Sequence, residues 1–250
     1  MSKFRTIIPL ERAPFLVDYQ SSILGIGSCF IENIGGLLEK YKFPVHLNPF
    51  GILYNPISIK NSLVNIATGE GYTKDDLFFH NDLWHSFDHH SAFSHTNQAT
   101  ALAKINSTLT TSSQFLQKTN RLLLTFGTAN VFINKTTNKI VANCHKLPNT
   151  SFEKKRLSVT EIVDQLFPIL THLKKQYSNL KVIFTVSPVR HIKDGFLENQ
   201  RSKATLLLAI AELTQQLAFT HYFPAYELVL DDLRDYRFFE KDMVLSLIHI

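Results

Sequence analysis

The sequence has little cysteine and no long apolar run. Only Cys29 and Cys144 occur among 250 residues, too few for the disulfide framework of a small secreted protein. No apolar stretch approaches the roughly 20 residues that a membrane-spanning helix requires. The N-terminal segment carries Glu11 and Arg12 and has no small-residue cleavage site, so no signal peptide is expected. These absences favour a cytoplasmic protein that does not insert into a membrane.

Concentrated positive charge is also absent, although the formal net charge is +5. Lysines and arginines are scattered along the chain, and the densest group, Lys154 to Arg156, is short. Nucleic-acid-binding proteins usually present a basic stripe or an aromatic RNA-binding motif, and neither is visible in this sequence. We therefore expect no nucleic-acid partner.

The pattern of apolar residues indicates one α/β domain over residues 1–250. Hydrophobic residues make up 44% and charged residues 19%, values typical of a soluble globular protein. Short apolar runs alternate with segments of helical periodicity, which predicts βαβ units and a mostly parallel sheet. The predicted strands are 22–27, 43–47, 121–126, 181–186 and a short one near 222, with a hairpin over 130–141. The predicted helices cover about 30–41, 98–117, 158–177, 203–219 and 231–239, another begins at Pro56, and 68–96 is irregular.

Small or polar residues follow four of the predicted strands. They are the segments Gly27–Ser28, Asn48–Gly51, Gly127–Asn130 and Ser187–His191. In open parallel sheets, ligands bind just beyond the carboxyl ends of the strands. We therefore expect these four segments to converge on one site.

Ser28 has two readings from its local sequence. A serine at a strand-to-helix turn lies near helix N–H groups that can stabilise an oxyanion, as a nucleophile requires. The same hydroxyl is a common helix N-cap, and the local segment alone favours the cap because caps are far commoner than nucleophiles. The neighbouring Cys29 could be activated at a helix N-terminus, which makes cysteine-based hydrolysis a third alternative. Free cysteine is usually buried, however, so we expect Cys29 to pack in the interior.

Seven segments of the chain together resemble the GSCFA-domain family, which is similar to the SGNH (GDSL-like) hydrolases. The segments are Gly27–Phe30, Asn48–Pro56, Trp84–Ser91, Thr125–Ala129, Ala142–Pro148, Ser187–His191 and Tyr222–Glu227. The resemblance implies a flavodoxin-like, three-layer α/β/α sandwich with a mostly parallel sheet. It also implies a bacterial serine hydrolase (esterase or deacylase), or an acyltransferase with the same nucleophile, that needs no cofactor. The expected substrate is a small molecule or a carbohydrate that carries an ester.

The resemblance assigns roles to particular residues. Ser28 matches the serine of the Gly-Asp-Ser block and would be the nucleophile. Gly51 resembles the glycine whose N–H group helps to form the oxyanion hole. Asp242 matches the aspartate of the Asp-x-x-His pair, in which the aspartate orients the histidine that activates the serine.

The third block of the family pattern differs in this chain. It begins at Gly127, and Ala129 occupies the position of the oxyanion asparagine. Asn130 lies one place further along the chain, and Asn143 or Asn48 could supply the amide instead. The source of the oxyanion amide is therefore open among these three asparagines.

The position of the base differs more strongly. Leu245 stands where the family has its histidine, three residues after Asp242. Three explanations are open: the chain is incomplete or carries a foreign tail from about residue 245, His249 replaces the base, or the chain is a degenerate member. The alternative function is accordingly a binding module that lacks the base histidine and does not catalyse a reaction.

Five of the eleven histidines lie between residues 80 and 95. No pair of them shows the His-Glu-x-x-His pattern of metalloproteases, and no cysteine is close, so we expect no metal site. The resemblance implies that this segment forms a lid or a pocket wall. The pocket candidates are Asn48, His89, His145 and His191.

Overall fold

The computed structural model describes residues 9–10, 12–233 and 239. Strands and helices alternate along most of this range. In chain order they are β1 (Ile23–Gly27), α1 (Cys29–Lys40), β2 (Val45–Leu47), α2 (Pro56–Thr68), β3 (Phe78–His80), β4 (Leu83–His85), α3 (Gln98–Leu116), β5 (Arg121–Phe126), β6 (Asn130–Asn134), β7 (Lys139–Val141), β8 (Phe152–Arg156), α4 (Val159–Gln176), β9 (Lys181–Val186), α5 (Phe196–Gln216), β10 (Thr220–Tyr222) and α6 (Ala225–Glu227). None of the described helices is long and apolar enough to cross a membrane.

A five-stranded sheet forms the centre of the molecule, in the order β10-β9-β5-β1-β2. All four neighbouring pairs are parallel, which confirms the predicted parallel sheet. When these five strands are numbered from one to five along the chain, their order in the sheet is 2-1-3-4-5, which is the order of flavodoxin-like proteins. The order of connection reverses direction once, after β2, and right-handed crossovers therefore place α1 on one face and α2 to α5 on the other.

Packing on the two faces of the sheet agrees with this topology. Gly25 of β1 faces α1, since a Cβ atom there would lie 2.9 Å from both the Ile31 and the Leu47 side chains. The adjacent Leu24 and Ile26 point to the opposite face and belong to the main hydrophobic core, together with side chains of α2, α3, α4 and α5. Helices α2, α4 and α5 contact one another in a row across that face. The expected three-layer arrangement is therefore present.

The central strands are apolar because both of their faces are covered. Six residues of β5 and β9 point into the main hydrophobic core and are fully buried: Leu122, Leu124, Phe126, Val182, Phe184 and Val186. Burying an aliphatic or aromatic side chain of this kind contributes about 1.5–3 kcal/mol. Strands buried on both faces have nearly continuous apolar sequences, and this explains why the predicted bounds of β5 and β9 match those in the structure.

The segment predicted to be irregular, residues 68–96, contains an antiparallel hairpin of β3 and β4. Its turn is Asn81-Asp82, and both residues have positive φ values of 46° and 60°. Positive φ values at both turn residues match the twist of the two flanking strands, and two-residue hairpins therefore favour such turns. The prediction missed the hairpin because each strand has only three residues.

The structure adds one strand that was not predicted and moves the start of one predicted helix. Residues Phe152–Arg156 form strand β8, which pairs with β6, although four of its five residues are exposed and charged. Helix α5 begins at Phe196, seven residues before the predicted start at Lys203. A helical segment lies at 225–232, and residues 234–238 of the predicted helix 231–239 lie outside the described residues.

Candidate active site

Backbone hydrogen bonds tie the carboxyl ends of the central strands together. They join the turn after β1, the loop after β2, and the ends of β5 and β9. The bonds run from Ser28 N to Thr125 O (3.2 Å), Leu53 N to Gly27 O (2.9 Å), Gly127 N to Tyr54 O (2.7 Å) and Ser187 N to Phe126 O (2.9 Å). The four polar segments singled out in the sequence thus converge at one edge of the sheet.

Ser28 is the N-cap residue of helix α1. Its hydroxyl oxygen accepts a hydrogen bond of 3.3 Å from the backbone N–H of Phe30, and the residue is only 1% exposed. The N-cap reading of Ser28 is therefore correct. It is compatible with the nucleophile reading, because the positive end of a helix also stabilises negative charge on a nearby oxygen. The role of Ser28 as nucleophile stays a prediction.

Asn48 lies directly beside the Ser28 turn. Its side-chain oxygen accepts a 2.8 Å hydrogen bond from the backbone N–H of Gly27. The backbone N–H of Asn48 donates to Gly25 O at 2.8 Å. The Nδ2 atom is buried and has no hydrogen-bond partner among the residues described. A buried amide N–H without a partner costs about 1–3 kcal/mol. Asn48 therefore holds a donor without a partner in the described structure, on a side chain that is bonded to the turn of the candidate nucleophile.

Gly51 lies in the turn that follows Asn48. Its φ of 76° and the close approach of His90 require glycine, since a Cβ atom would lie 2.2 Å from the Cβ of His90. The N–H of Gly51 donates to Asn48 O at 2.7 Å. The N–H that the family resemblance assigns to the oxyanion hole therefore already has a hydrogen-bond partner within the turn. Its role in the oxyanion hole stays a prediction, and in that role the N–H would have to leave Asn48 O to bind the oxyanion.

The other two asparagine candidates have partners of their own. Asn130 Nδ2 donates to Asp194 Oδ2 at 2.9 Å, and Asn143 Oδ1 accepts from His145 N at 2.9 Å. Ala129, at the family's asparagine position, is fully buried, and its N–H donates to Ser202 Oγ at 2.7 Å. Of the three asparagines left open by the sequence, Asn48 is the one whose amide nitrogen is buried without a partner.

The histidine-rich segment forms a wall beside the Asn48–Gly51 turn. His89 stacks on Phe50 with ring centroids 4.3 Å apart, and its Nδ1 lies 2.9 Å from Ser86 Oγ. His145 Nε2 lies 2.7 Å from Ser86 O. Burial lowers the pKa of His89 to about 3 and that of His145 to about 4. Both imidazoles are therefore neutral at neutral pH and serve as packed aromatic rings.

His191 lies after β9, on the other side of the site. Its ring packs edge-on against Tyr54 with centroids 5.6 Å apart, and its backbone N–H donates to Asn199 Oδ1 at 3.0 Å. Burial, assisted by the charge of Lys203, lowers the pKa of His191 to about 4. The Nε2 atom is buried without a partner in the described part of the chain.

The two cysteines are half-buried and unpaired. Burial raises the pKa of the Cys29 thiol, and the nearby Glu32 carboxylate raises it further. Burial also raises the pKa of Cys144 to about 11. A thiol with a raised pKa is a poor nucleophile at neutral pH, so the environment of Cys29 favours packing over catalysis.

Lys203 is a buried residue of the site that the sequence did not reveal as functional. It is 1% exposed, and its Nζ donates to the carbonyl oxygens of Gly127 and Ser187, both at 2.6 Å. Burial lowers its pKa to about 7, and the charge of Arg190 contributes. The sequence holds one signal: Asn199, Ser202 and Lys203 share helical spacing with the apolar residues Leu206, Ile210 and Leu213, which places polar side chains on the core-facing side of α5.

The predicted base lies outside the described residues. This applies to Asp242, to Leu245 at the histidine position and to His249. Among the residues described, no group of three histidine, cysteine, aspartate or glutamate side chains is arranged to hold a metal ion.

A five-stranded parallel sheet with helices on both faces and a polar site at its carboxyl edge defines a flavodoxin-like, doubly wound α/β protein. The family model described as GSCFA family matches residues 22–246. The chain therefore belongs to the GSCFA family, as its motifs predicted.

Two solved structures are similar to the chain at low sequence identity. One is a protein from Streptococcus pneumonia described as a candidate platelet activating factor, with 11% identity, a TM-score of 0.44, and 90% of this chain and 76% of that chain covered. The other is the acetyl xylan esterase Est2A of the rumen bacterium Butyrivibrio proteoclasticus, with 10% identity, a TM-score of 0.40, and 84% of this chain and 56% of that chain covered. A comparison with curated protein sequences gives no significant match.

Proposed function

We propose that the protein is a serine hydrolase that acts on ester bonds, with Ser28 as its nucleophile. Membership of the GSCFA family supports this proposal, because the family resembles the SGNH hydrolases. The observation that carries it is the arrangement of two residues. Ser28 is the N-cap of helix α1, and the side-chain oxygen of Asn48 accepts a hydrogen bond from the backbone N–H of Gly27, the residue before it. The Nδ2 atom of Asn48 is buried and has no partner in the described part of the chain.

In the proposed reaction, Ser28 Oγ attacks the carbonyl carbon of the ester and the serine proton passes to a base. The N–H of Phe30 already donates to Oγ, and a hydrogen bond of this kind stabilises the oxygen as it gains negative charge. The carbonyl oxygen becomes an oxyanion, which N–H donors at the start of α1 and Asn48 Nδ2 would bind. The alcohol leaves, and water then releases the acyl group from Ser28.

The proposed substrate is a small O-acyl ester, including an acylated carbohydrate. Ser28 and Asn48 are 1% and 8% exposed, and this burial is the observation that favours a small acyl group.

A fluorophosphonate probe tests the nucleophile directly, because it reacts covalently with activated serines. We expect the probe to label Ser28, and we expect Ser28→Ala to abolish both the label and the turnover of 4-nitrophenyl acetate. Cys29→Ser is the matched control, since it changes the neighbouring side chain and leaves the serine intact. Labelling and turnover that persist in Ser28→Ala would refute the proposed nucleophile.

A binding module without catalysis is the second candidate function. It is favoured by the hydroxyl of Ser28, to which no histidine or carboxylate hydrogen-bonds within residues 9–10, 12–233 and 239. Leu245 at the family's histidine position supports the same reading. Leu245→His restores the Asp-x-x-His spacing and separates the two functions. Labelling of the unmodified chain supports the hydrolase, labelling that appears only in Leu245→His supports the binding module, and labelling of neither refutes a catalytic Ser28.

A further inference from the structure

A single lysine joins the ends of the two central strands at the site. The ammonium group of Lys203 reaches from helix α5 to Gly127 O, just after β5, and to Ser187 O, just after β9. Lysine is almost never fully buried unless it is paired with an opposite charge. Among the residues described, no carboxylate lies within 4.0 Å of the Lys203 ammonium. The charge therefore rests on two backbone carbonyl groups.

These contacts fix the orientation of one peptide group in the third block. The carbonyl of Gly127 and the N–H of Thr128 belong to the same planar unit and point in opposite directions. Lys203 binds the carbonyl, and Tyr54 O accepts from the Thr128 N–H at 3.1 Å. The unit is held from both sides, so it cannot rotate without breaking a buried hydrogen bond.

Ser202, the residue before Lys203, holds the same turn through hydrogen bonds between uncharged groups. Ser202 Oγ accepts from Ala129 N at 2.7 Å and lies 3.0 Å from Thr128 Oγ1. Consecutive residues of α5 therefore bind consecutive residues of the turn. Ser202 contributes hydrogen bonds alone, whereas Lys203 contributes hydrogen bonds and a positive charge, and this difference allows their roles to be separated.

The charged and titratable groups around Lys203 come from two elements. Cys29 faces it from α1, and Arg190 and His191 face it from the segment after β9. The electrostatic field of the Lys203 ammonium reaches the Cys29 thiol. Cys29 directly follows Ser28, so the same field reaches the turn that contains the candidate nucleophile. Two of the three N–H donors of an ammonium group are used by the carbonyls. A fixed positive charge in a water-poor site stabilises an oxyanion more strongly than it would in water.

We propose that Lys203 is a positioning residue of the site: it holds the turn after β5 in place and, as an ammonium ion, supplies positive charge beside Ser28. This inference rests on the proposed hydrolase function. It goes beyond that function because the roles carried over from the SGNH pattern include no lysine.

The test compares Lys203→Met with Ser202→Ala. Methionine retains most of the aliphatic stem and removes the charge and both hydrogen bonds, whereas Ser202→Ala removes only the uncharged contacts to the same turn. We expect Lys203→Met to lower kcat by about ten-fold to a thousand-fold with little change in KM, because the charge acts on the transition state. A role in folding alone would change stability without this separation of kcat from KM.

The pH dependence of kcat provides the second readout. Because burial places the pKa of Lys203 near 7, the ammonium form predominates below that pH and is lost above it. In the unmodified protein and in Ser202→Ala, kcat should therefore fall as pH rises from about 7 to 9. In Lys203→Met this decline should be absent.

The outcomes distinguish this inference from the proposed function. If the fluorophosphonate probe does not label Ser28 in the unmodified protein, the hydrolase function fails and the role of Lys203 fails with it. If Ser28 is labelled and Lys203→Met has the kcat and pH profile of the unmodified protein, only the role of Lys203 is refuted. If Lys203→Met does not fold, the unmodified protein decides: a kcat that does not decline between pH 7 and 9 overturns the inference.

Discussion

The carboxamide oxygen of Asn48 accepts a hydrogen bond from the backbone N–H of Gly27, 2.8 Å away and one residue before Ser28. This bond determines the orientation of the amide, since a rotated amide would direct its NH2 group at the N–H of Gly27. The NH2 group consequently lies on the other side, where it is buried without a partner in the described structure. Asn48 is thus oriented by the same turn that presents the candidate nucleophile.

Asn48→Asp should lower kcat by about a hundred-fold to a thousand-fold, the usual cost of removing one oxyanion donor. Aspartate retains the oxygen that accepts from Gly27 and tolerates the positive φ of 42° at this position. The change therefore keeps the hydrogen bond to Gly27, removes the donor and adds a carboxylate that opposes the developing oxyanion, so both effects lower kcat. Steady-state kinetics with 4-nitrophenyl acetate measure the loss, and circular dichroism confirms the fold.

Asn143→Asp is the matched control for the oxyanion assignment, and Asn130→Ala is a second control that adds no charge. Asn143 uses its side-chain oxygen, which aspartate keeps, and the amide nitrogen of Asn130 already donates to the Asp194 carboxylate. Each control should change kcat by less than ten-fold. A larger loss in either control than in Asn48→Asp would show that a different amide binds the oxyanion.

Gly51→Ala should destabilise the protein by about 1–3 kcal/mol, because its φ of 76° and the 2.2 Å approach of His90 both oppose a side chain. Gly36→Ala is the control: Gly36 is exposed on α1, and a Cβ atom there meets nothing within 4 Å. Alanine at position 36 should instead stabilise the helix by about 0.5–1 kcal/mol. Urea denaturation followed by circular dichroism compares the two. Equal effects would show that the Asn48–Gly51 turn adapts easily to a side chain.

The protein should lose stability as pH falls from 6.5 towards 4, because His89 and His145 are buried in neutral form. Their folded pKa values of about 3 and about 4 lie below the unfolded value of 6.5, so the unfolded chain binds more protons in this range. The loss should be on the order of 1–2 kcal/mol for each histidine at pH 5.

Denaturation at pH 7.5 and at pH 5 measures this loss. His89→Phe keeps an aromatic ring against Phe50 and should reduce the difference between the two pH values. His95→Gln changes an exposed histidine and should leave the difference as it is. An unchanged pH dependence in His89→Phe would mean that His89 is protonated without cost in the folded state.

Neither thiol should react rapidly with iodoacetamide at pH 7.5, because burial raises the pKa of both cysteines. Both should react at the rate of a free thiol once the chain is denatured in urea. Mass spectrometry of tryptic peptides distinguishes Cys29 from Cys144. Rapid alkylation of Cys29 in the folded protein, with loss of esterase activity, would favour cysteine-based hydrolysis over the serine mechanism.

The sequence predicted the central sheet well because its strands are buried on both faces. The bounds of β5 and β9 follow from two uninterrupted apolar runs, and α4 follows from the capping box at Ser158 and Glu161. Strand β8 was missed because its Glu153–Arg156 residues are exposed and charged, a common feature of edge strands. The start of α5 was missed because the usual polarity is inverted there, with exposed apolar and buried polar residues.

The convergence of the four strand ends could be predicted, but the hydrogen bonds of the site could not. Spacing alone does not distinguish Asn48 from Asn143, since the difference lies in which atom of each amide already has a partner. Nor does the sequence show that the Gly51 N–H donates a hydrogen bond to Asn48 O. Lys203 was placed at the start of an apolar helix, and only the fold brings it to the strand ends.

Both edge strands of the described sheet, β2 and β10, are only three residues long. An edge strand exposes N–H and C=O groups that can pair with a strand of another chain, and a short strand exposes few of them. The long apolar strands β5 and β9 are the ones that would aggregate most readily if uncovered, and they lie inside the sheet. The strand order therefore keeps the two longest apolar strands of this sheet away from its edges, where they could pair with another chain.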